Sequence, residues 1–311
     1  MRKWIIDTDT ASDDAVALIL ALQEDSIHIE AITVVAGNVG LEQGVQNALY
    51  CVELCDRKVP VFAGAAKPIL RALSTAQFVH GEDGMGDIGL PLNGRIPADS
   101  HAVDVIIEKI QQSPGEIELI TLGPLTNIAI ALLKEPSIAQ QVKCCHLMGA
   151  VGQGPGNITA VSEYNIWVDP EAAQIVFNSG MNIRMAGWDI AVDHAFFNDA
   201  EIAEWRQKKG ALAKFSLDIQ RGKYAFNKKT TGQAGFELPD PIAVAMAIDE
   251  TMITKKKTMG VEVVLGDGPT RGQVVVDHIN VMPEAPKVEV VLEVDTQHFK
   301  DLMFSLIVEK D

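Results

Sequence analysis

Short apolar runs alternate with amphipathic segments through the first two thirds of the chain. Trp4–Ile6 reads as a buried strand. Asp13–Gln23 reads as a helix, because Val16, Ile19, Leu20 and Gln23 follow one another at spacings of one to three residues that keep them on one helical face. The same reading predicts strands at Ile29–Val35, Val59–Ala63, Ile117–Leu122, Val142–Met148 and Ile183–Ala186. Helices are predicted between them at Leu41–Leu54, His101–Ile110, Thr126–Leu133 and Pro170–Phe177. Residues 200–224 carry a more polar helical pattern, 225–238 are polar and glycine-bearing, and Asp240–Ile248 returns to apolar helical spacing. This alternation predicts an α/β fold with a mostly parallel central sheet flanked by helices on both faces. After about residue 260, Val261–Leu265, Gln273–Val276 and Lys287–Val294 read as strands joined by Gly-Asp-Gly-Pro and Pro-Glu-Ala-Pro, a small C-terminal strand meander. No repeat, low-complexity tract or linker interrupts residues 1–311, so a single domain is expected.

Composition narrows the partners. The chain is 47% hydrophobic, which excludes a disordered chain. Its 42 acids against 26 bases, a net charge of −16, argue against nucleic acid and anionic membranes, which need clustered Lys and Arg. Cys51, Cys55, Cys144 and Cys145 fit neither a disulfide framework nor a zinc site, so they are read as core residues of a reducing compartment. The opening Met-Arg-Lys-Trp-Ile-Ile-Asp meets an acid after two apolar residues and does not read as a signal peptide; no apolar stretch reaches the ~18 residues of a membrane span. A cytoplasmic enzyme or small-molecule binder is expected.

The candidate chemistry sits where strands end, the edge at which open α/β sheets bind ligands. The first strand runs into Asp7-Thr8-Asp9-Thr10-Ala11-Ser12-Asp13-Asp14. One acid at the following helix start is explained by capping and the helix dipole, but four in eight residues repel one another unless a cation joins them. Oxygen-only donors select a hard cation, Ca²⁺ or Mg²⁺. Asn38, the turn Leu122–Asn127, the Gly-rich stretch Gly149–Asn157 and Glu163-Tyr164-Asn165 follow other strands. Asp240, between two prolines, is equally consistent with an N-cap and a metal ligand. His80 lies in a loop, Val-His-Gly-Glu-Asp-Gly-Met-Gly, suited to folding over a ligand. No nucleophilic serine or cysteine signature is present.

Asp-x-Asp-x-x-x-Asp-Asp followed by Ala-Val-Ala-Leu resembles the inosine–uridine-preferring nucleoside hydrolase family. Ala-Gly-Asn (36–38), His-Gly-Glu-Asp-Gly-Met-Gly (80–86) and Gly-Pro-Leu-Thr-Asn-Ile-Ala (123–129) resemble family segments too. So do Leu-Met-Gly (147–149), Ser-Glu-Tyr-Asn-Ile (162–166), Val-Asp-Pro-Glu-Ala-Ala (168–173) and Asp-Pro-Ile-Ala-Val-Ala (240–245), in the family's order. The resemblance implies Ca²⁺-dependent hydrolysis of the N-glycosidic bond of ribonucleosides to ribose and free base. It assigns Asp9, Asp14, the carbonyl of Leu122 and Asp240 to Ca²⁺, with Asp9 also the base acting on a Ca²⁺-bound water. It assigns the ribose hydroxyls to Asp13, Asn157, Glu163 and Asn165, with Asn38 near water and sugar, Met148 beside the sugar and His80 facing the base. Asp7 braces the loop, and a homodimer or tetramer is implied.

Two departures matter. Thr10-Ala11-Ser12 stands where the family usually has Pro-Gly between its acids, with the spacing kept. Pro239 stands where base-unselective members carry a histidine that protonates the departing base. Leaving-group activation then falls to His80, Tyr224 or a water, or the enzyme favours bases that depart unaided. Pro239 also raises the alternative of a non-catalytic nucleoside or ribose binder. A Mg²⁺ phosphatase of the haloacid-dehalogenase type is a further alternative, since Asp7-Thr8-Asp9 follows an apolar strand.

Overall fold

The structure is a computed structural model and describes residues 1–308. Its strands are β1 (Arg2–Thr8), β2 (Ile27–Val34), β3 (Val61–Ala63), β4 (Ile117–Thr121), β5 (Cys144–Met148), β6 (Ile183–Ala186), β7 (Phe196–Asn198), β8 (Gly235–Glu237), β9 (Ile253–Val263), β10 (Val274–Val276) and β11 (Lys287–Val294). The helices of the first half are α1 (Ser12–Gln23), α2 (Leu41–Leu54), α3 (Gln77–His80), α4 (Ala102–Gln112) and α5 (Thr126–Lys134). Those of the second half are α6 (Tyr164–Val168), α7 (Pro170–Phe177), α8 (Trp188–His194), α9 (Asp199–Trp205), α10 (Ala211–Asp218), α11 (Arg221–Thr230), α12 (Pro239–Ile248) and α13 (Thr296–Ile307).

The main sheet has the order β10-β9-β11-β6-β5-β4-β1-β2-β3. Every pairing from β11 through to β3 is parallel. Parallel strands buried on both faces need near-continuous apolar runs, and Trp4-Ile5-Ile6 and Leu119-Ile120 supply them. Helices α1, α2, α12 and α13 pack one apolar layer on the sheet, and α4, α5 and α7 the other. The chain winds outward from β1 to β3 in one direction and from β4 to β6 in the other. The direction therefore switches between β1 and β4, and that crevice is where such sheets bind ligands.

Several elements differ from the sequence reading. Residues 200–224 are not one helix: Lys208-Lys209-Gly210, with Gly210 at φ +111°, breaks α9 from α10, and α11 runs on to Thr230 across the expected boundary at 225. β9 begins at Ile253, ahead of its apolar part, because Lys255 and Lys256 pair across the strand with Glu293 and Glu289 at 2.8 and 3.2 Å. The C-terminal strands are antiparallel as expected and extend the main sheet, with β9 between β10 and β11. His80 ends helix α3 and is buried rather than riding on an open loop. The four cysteines are free, with Cys51, Cys55 and Cys145 buried in the core. Among the described residues no helix is long and apolar enough to cross a membrane.

Candidate active site

The β1–α1 connection carries the acids into the crevice between β1 and β4. Asp7 pairs in register with Thr121 of β4 and Thr33 of β2, and Leu122 N donates to Asp7 O at 2.8 Å. Asp7 points away from the cavity: its Oδ1 accepts from Thr33 Oγ1 at 2.6 Å and Asn127 Nδ2 at 2.8 Å. Asp7 thereby ties β1 to β2 and to the start of α5.

Asp9 is fully buried. Its Oδ2 accepts from Asn38 N at 2.6 Å, while Oδ1 has no hydrogen-bond partner among the described residues. Two glycines make room for this carboxylate. A Cβ on Gly37 would lie 2.1 Å from Asp9 Oδ2, and one on Gly123 would lie 2.9 Å from Oδ1. Burial, then the charges of Asp14 and Asp13, hold the Asp9 carboxyl well above its ordinary range.

Asp14 does two jobs. Its Oδ2 accepts from Ala11 N at 3.0 Å, closing the first turn of α1, and its Oδ1 accepts from Thr8 Oγ1 at 2.6 Å. Burial and the neighbouring Asp13 push it up to about 7. Asp240 is not an N-cap: α12 starts at Pro239 after Leu238, so Asp240 sits inside the first turn, buried against the other acids. Carboxylate oxygens of Asp13, Asp14 and Asp240 lie within 4.8 Å of one another. Burial and the charges of Asp14, Asp13 and Asp9 raise Asp240 well above its ordinary range.

Asp13 differs from its neighbours because it has a cation. Lys223 Nζ on α11 donates to Asp13 Oδ2 at 2.9 Å and to Glu237 O at 2.8 Å. Burial opposes the Asp13 charge, but Lys223, helped by His80 and a backbone hydrogen bond, outweighs it and holds the carboxyl below its ordinary range.

These groups floor a cavity of about 390 Å³. Asp13, Asn38, His80, Leu122, Met148, Asn157, Glu163, Asn165 and Asp240 all line it, so the fold brings the expected sugar-side residues together. Asp9 and Asp14 lie beneath the lining. Glu163 caps α6, accepting from Asn165 N at 2.8 Å and Ala150 N at 2.9 Å, and burial pushes it up to about 7. Asn165 Nδ2 donates to the Leu122 carbonyl at 2.7 Å, and Asn157 Oδ1 accepts from Tyr164 N at 2.8 Å. Trp188, Phe196, Phe226 and the exposed Phe78 form an aromatic outer wall.

Two groups expected to help the leaving base are engaged with other partners. His80 Nδ1 is engaged with Ser12 Oγ at 2.9 Å, and burial lowers it to about 4, so it is uncharged at neutral pH. Tyr224 lies outside the cavity lining and donates to Asp199 Oδ1 at 2.9 Å. Lys223, Asn227 and Glu237 were missed. Gln220, Lys223 and Asn227 form a buried polar stripe at helical spacing, which the expected break at 225 cut in two.

The family described as inosine-uridine preferring nucleoside hydrolase matches residues 4–301. The pyrimidine-specific ribonucleoside hydrolase RihB of Escherichia coli (strain SE11) is 35% identical over 97% of this chain and 96% of its own. Among solved structures, the plant nucleoside hydrolase PpNRh1 superposes with a TM-score of 0.94 at 29% identity, covering 99% of each chain. The purine-preferring ribonucleoside hydrolase from Gardnerella vaginalis does so with a TM-score of 0.90 at 32% identity over 98% of each. The phosphatase alternative falls here, for a physical reason as well: Asp7, its required nucleophile, is buried outside the cavity lining, with its Oδ1 on Thr33 and Asn127. With a family match across nearly the whole chain and an acid-floored cavity at the β1–β4 switch, the chain belongs to the inosine-uridine preferring nucleoside hydrolase family and is an N-glycosyl hydrolase of ribonucleosides.

Proposed function

We propose that catalysis uses a Ca²⁺-type cation held by Asp9, Asp14, Asp240 and the Leu122 carbonyl, with Asp9 as the base that takes the proton of the attacking water. The observation that carries this reading is the buried Asp9 Oδ1, without a hydrogen-bond partner among the described residues, beside two further carboxyls that burial and mutual repulsion hold above their ordinary range. When bound, the cation supplies the missing positive charge, acidifies water and accepts vicinal hydroxyls within its ~6–8 oxygen positions. Asp13 is close enough to join the ligands, but Lys223 already occupies its Oδ2. That favours Asp13 for the sugar.

Asp13, Asn157, Glu163 and Asn165 hold the ribose hydroxyls in this reading. Asn38 orients Asp9 through its N–H, Met148 packs beside the sugar, and His80 lies on the base side. Glycosidic cleavage builds positive charge at C1′, and the converging carboxylates stabilise it as it forms. Since the E. coli relative is named pyrimidine-specific and the Gardnerella one purine-preferring, uridine and inosine are the first substrates to try. The proposed setting is cytoplasmic, as a homodimer or homotetramer, which light scattering tests.

The decisive experiment follows free base by chromatography from a ribonucleoside panel with Ca²⁺ or with chelator. Wild type is expected to release base only with the cation. Asp9→Asn is expected to lose about 10²–10⁴-fold in kcat, the span of general-base catalysis. Unchanged turnover in Asp9→Asn refutes the assignment, and binding without base release by wild type supports the binder alternative that Pro239 raised.

A further inference from the structure

We propose that Lys223 acts on the leaving base, donating an ammonium hydrogen bond to the nucleobase as the glycosidic bond breaks. This rests on the reading above that Asp13 holds the ribose. Lys223 reaches the cavity wall with a side chain only 3% exposed. Two of its three N–H groups are used, on Asp13 Oδ2 at 2.9 Å and Glu237 O at 2.8 Å. Glu237 Oε1 stands at 3.7 Å, beyond hydrogen-bond reach, and Glu237 Oε2 is taken by Asn227 Nδ2 at 2.7 Å. Among the described residues one N–H therefore remains for an acceptor in the cavity.

Its position suits the base. Lys223 is one hydrogen bond from the proposed sugar ligand Asp13, and it lines the same cavity as Phe196 and Phe226. Pro239, which also lines the cavity, has no proton to give. Burial alone depresses an ammonium, but Asp13 and Glu237 outweigh it and hold Lys223 above its ordinary range. It acts as a fixed donor, not as a proton source.

In the step proposed, the C1′–N bond breaks and its electron pair goes to the base nitrogen. The negative charge delocalises onto a ring nitrogen or carbonyl oxygen, where the Lys223 N–H meets it. The water oxygen bonds to C1′ and its proton passes to Asp9. The base anion takes a proton from solvent on release, and Asp9 returns its own to solvent.

A bland role exists: Lys223 could do no more than hold Asp13. Leaving-group chemistry separates the two. Wild type, Lys223→Met and Lys223→Gln are assayed with Ca²⁺ on uridine and on p-nitrophenyl β-D-ribofuranoside, whose leaving group departs as a stable anion unaided. Loss of one donor to a developing anion costs about 10²–10³-fold in kcat. Lys223→Met is expected to lose activity on both through Asp13, and at least about a hundredfold more on uridine than on the aryl riboside. Lys223→Gln, which keeps an N–H at this place, is expected to show the same selective loss at smaller size and serves if the Met variant does not fold. Equal losses on both substrates, or none on uridine, overturn the proposal. Failure of wild type to release any base refutes the underlying reading instead.

Discussion

Asp240→Asn is expected to stabilise the cation-free enzyme while abolishing its response to the cation. Oxygens of Asp240, Asp13 and Asp14 lie within 4.8 Å of one another. At an effective dielectric of ~20, one ionised pair at that separation costs about 3 kcal/mol. The protein escapes part of this by binding protons, but a proton is costly too. The Asp240 carboxyl, ordinarily at 3.8, is raised well above that value, chiefly by burial and then by Asp14. A raised carboxyl favours folding fully below its unfolded value, and that contribution is lost as pH rises toward the folded one. Keeping the proton costs about 1.4 kcal/mol per pH unit above 3.8, so under about 2 kcal/mol at pH 5 and more than the pair repulsion at pH 8. The amide removes the charge at nearly constant volume. The expected gain in chelator at pH 8 is therefore about 3 kcal/mol, shrinking by at least a third at pH 5. Melting entropy of ~2.1 cal/mol/K per residue makes that about 5 °C in Tm for a chain of this length. Differential scanning calorimetry in chelator at pH 5 and 8, then with Ca²⁺, reads all three quantities. A variant less stable than wild type in chelator at pH 8, or a gain independent of pH, refutes the reasoning.

Gly37→Ala would set a Cβ 2.1 Å from Asp9 Oδ2 and 2.8 Å from Pro124 Cδ, forcing the carboxylate off the Asn38 N–H. A misplacement of ~1 Å costs about a hundredfold in kcat/KM, so a variant with a normal melting transition and near wild-type kinetics would remove Asp9 from the mechanism. His80 is lowered from 6.5 to about 4, mainly by burial, so its neutral form favours folding above pH 6.5 and that contribution is lost as pH falls toward 4. This amounts to about 3 kcal/mol, and His80→Gln should flatten that acid limb in urea titrations. Arg271 Nη2 grips both Glu171 oxygens at 2.8 and 2.9 Å, and Arg271 O accepts from Ser162 Oγ beside Glu163. Arg271→Met leaves the Glu171 carboxylate half-stranded and is expected to cost about 3 kcal/mol by chemical denaturation, an effect Glu171→Gln should largely remove in the double variant.

Local pattern determined much of this protein. Apolar runs such as Trp4–Ile6 and Ile117–Leu122 have no alternative to burial, and the helix Leu41–Leu54 appears at its expected bounds, because spacing on one face decides it. The acids after β1 were legible for the same local reason: four carboxylates in eight residues repel at any tertiary arrangement. Elements held by long-range partners were not. The polar half of β9 exists through Glu289 and Glu293 on another strand, and α3 exists where His80 is drawn in against Ser12 and α11. The site divides likewise. Which acids existed was written along the chain, but which of them owns a cation was decided when the fold set Lys223 of α11 on Asp13, 210 residues away in sequence. A Coulomb interaction depends on distance in space, and only the fold sets that distance.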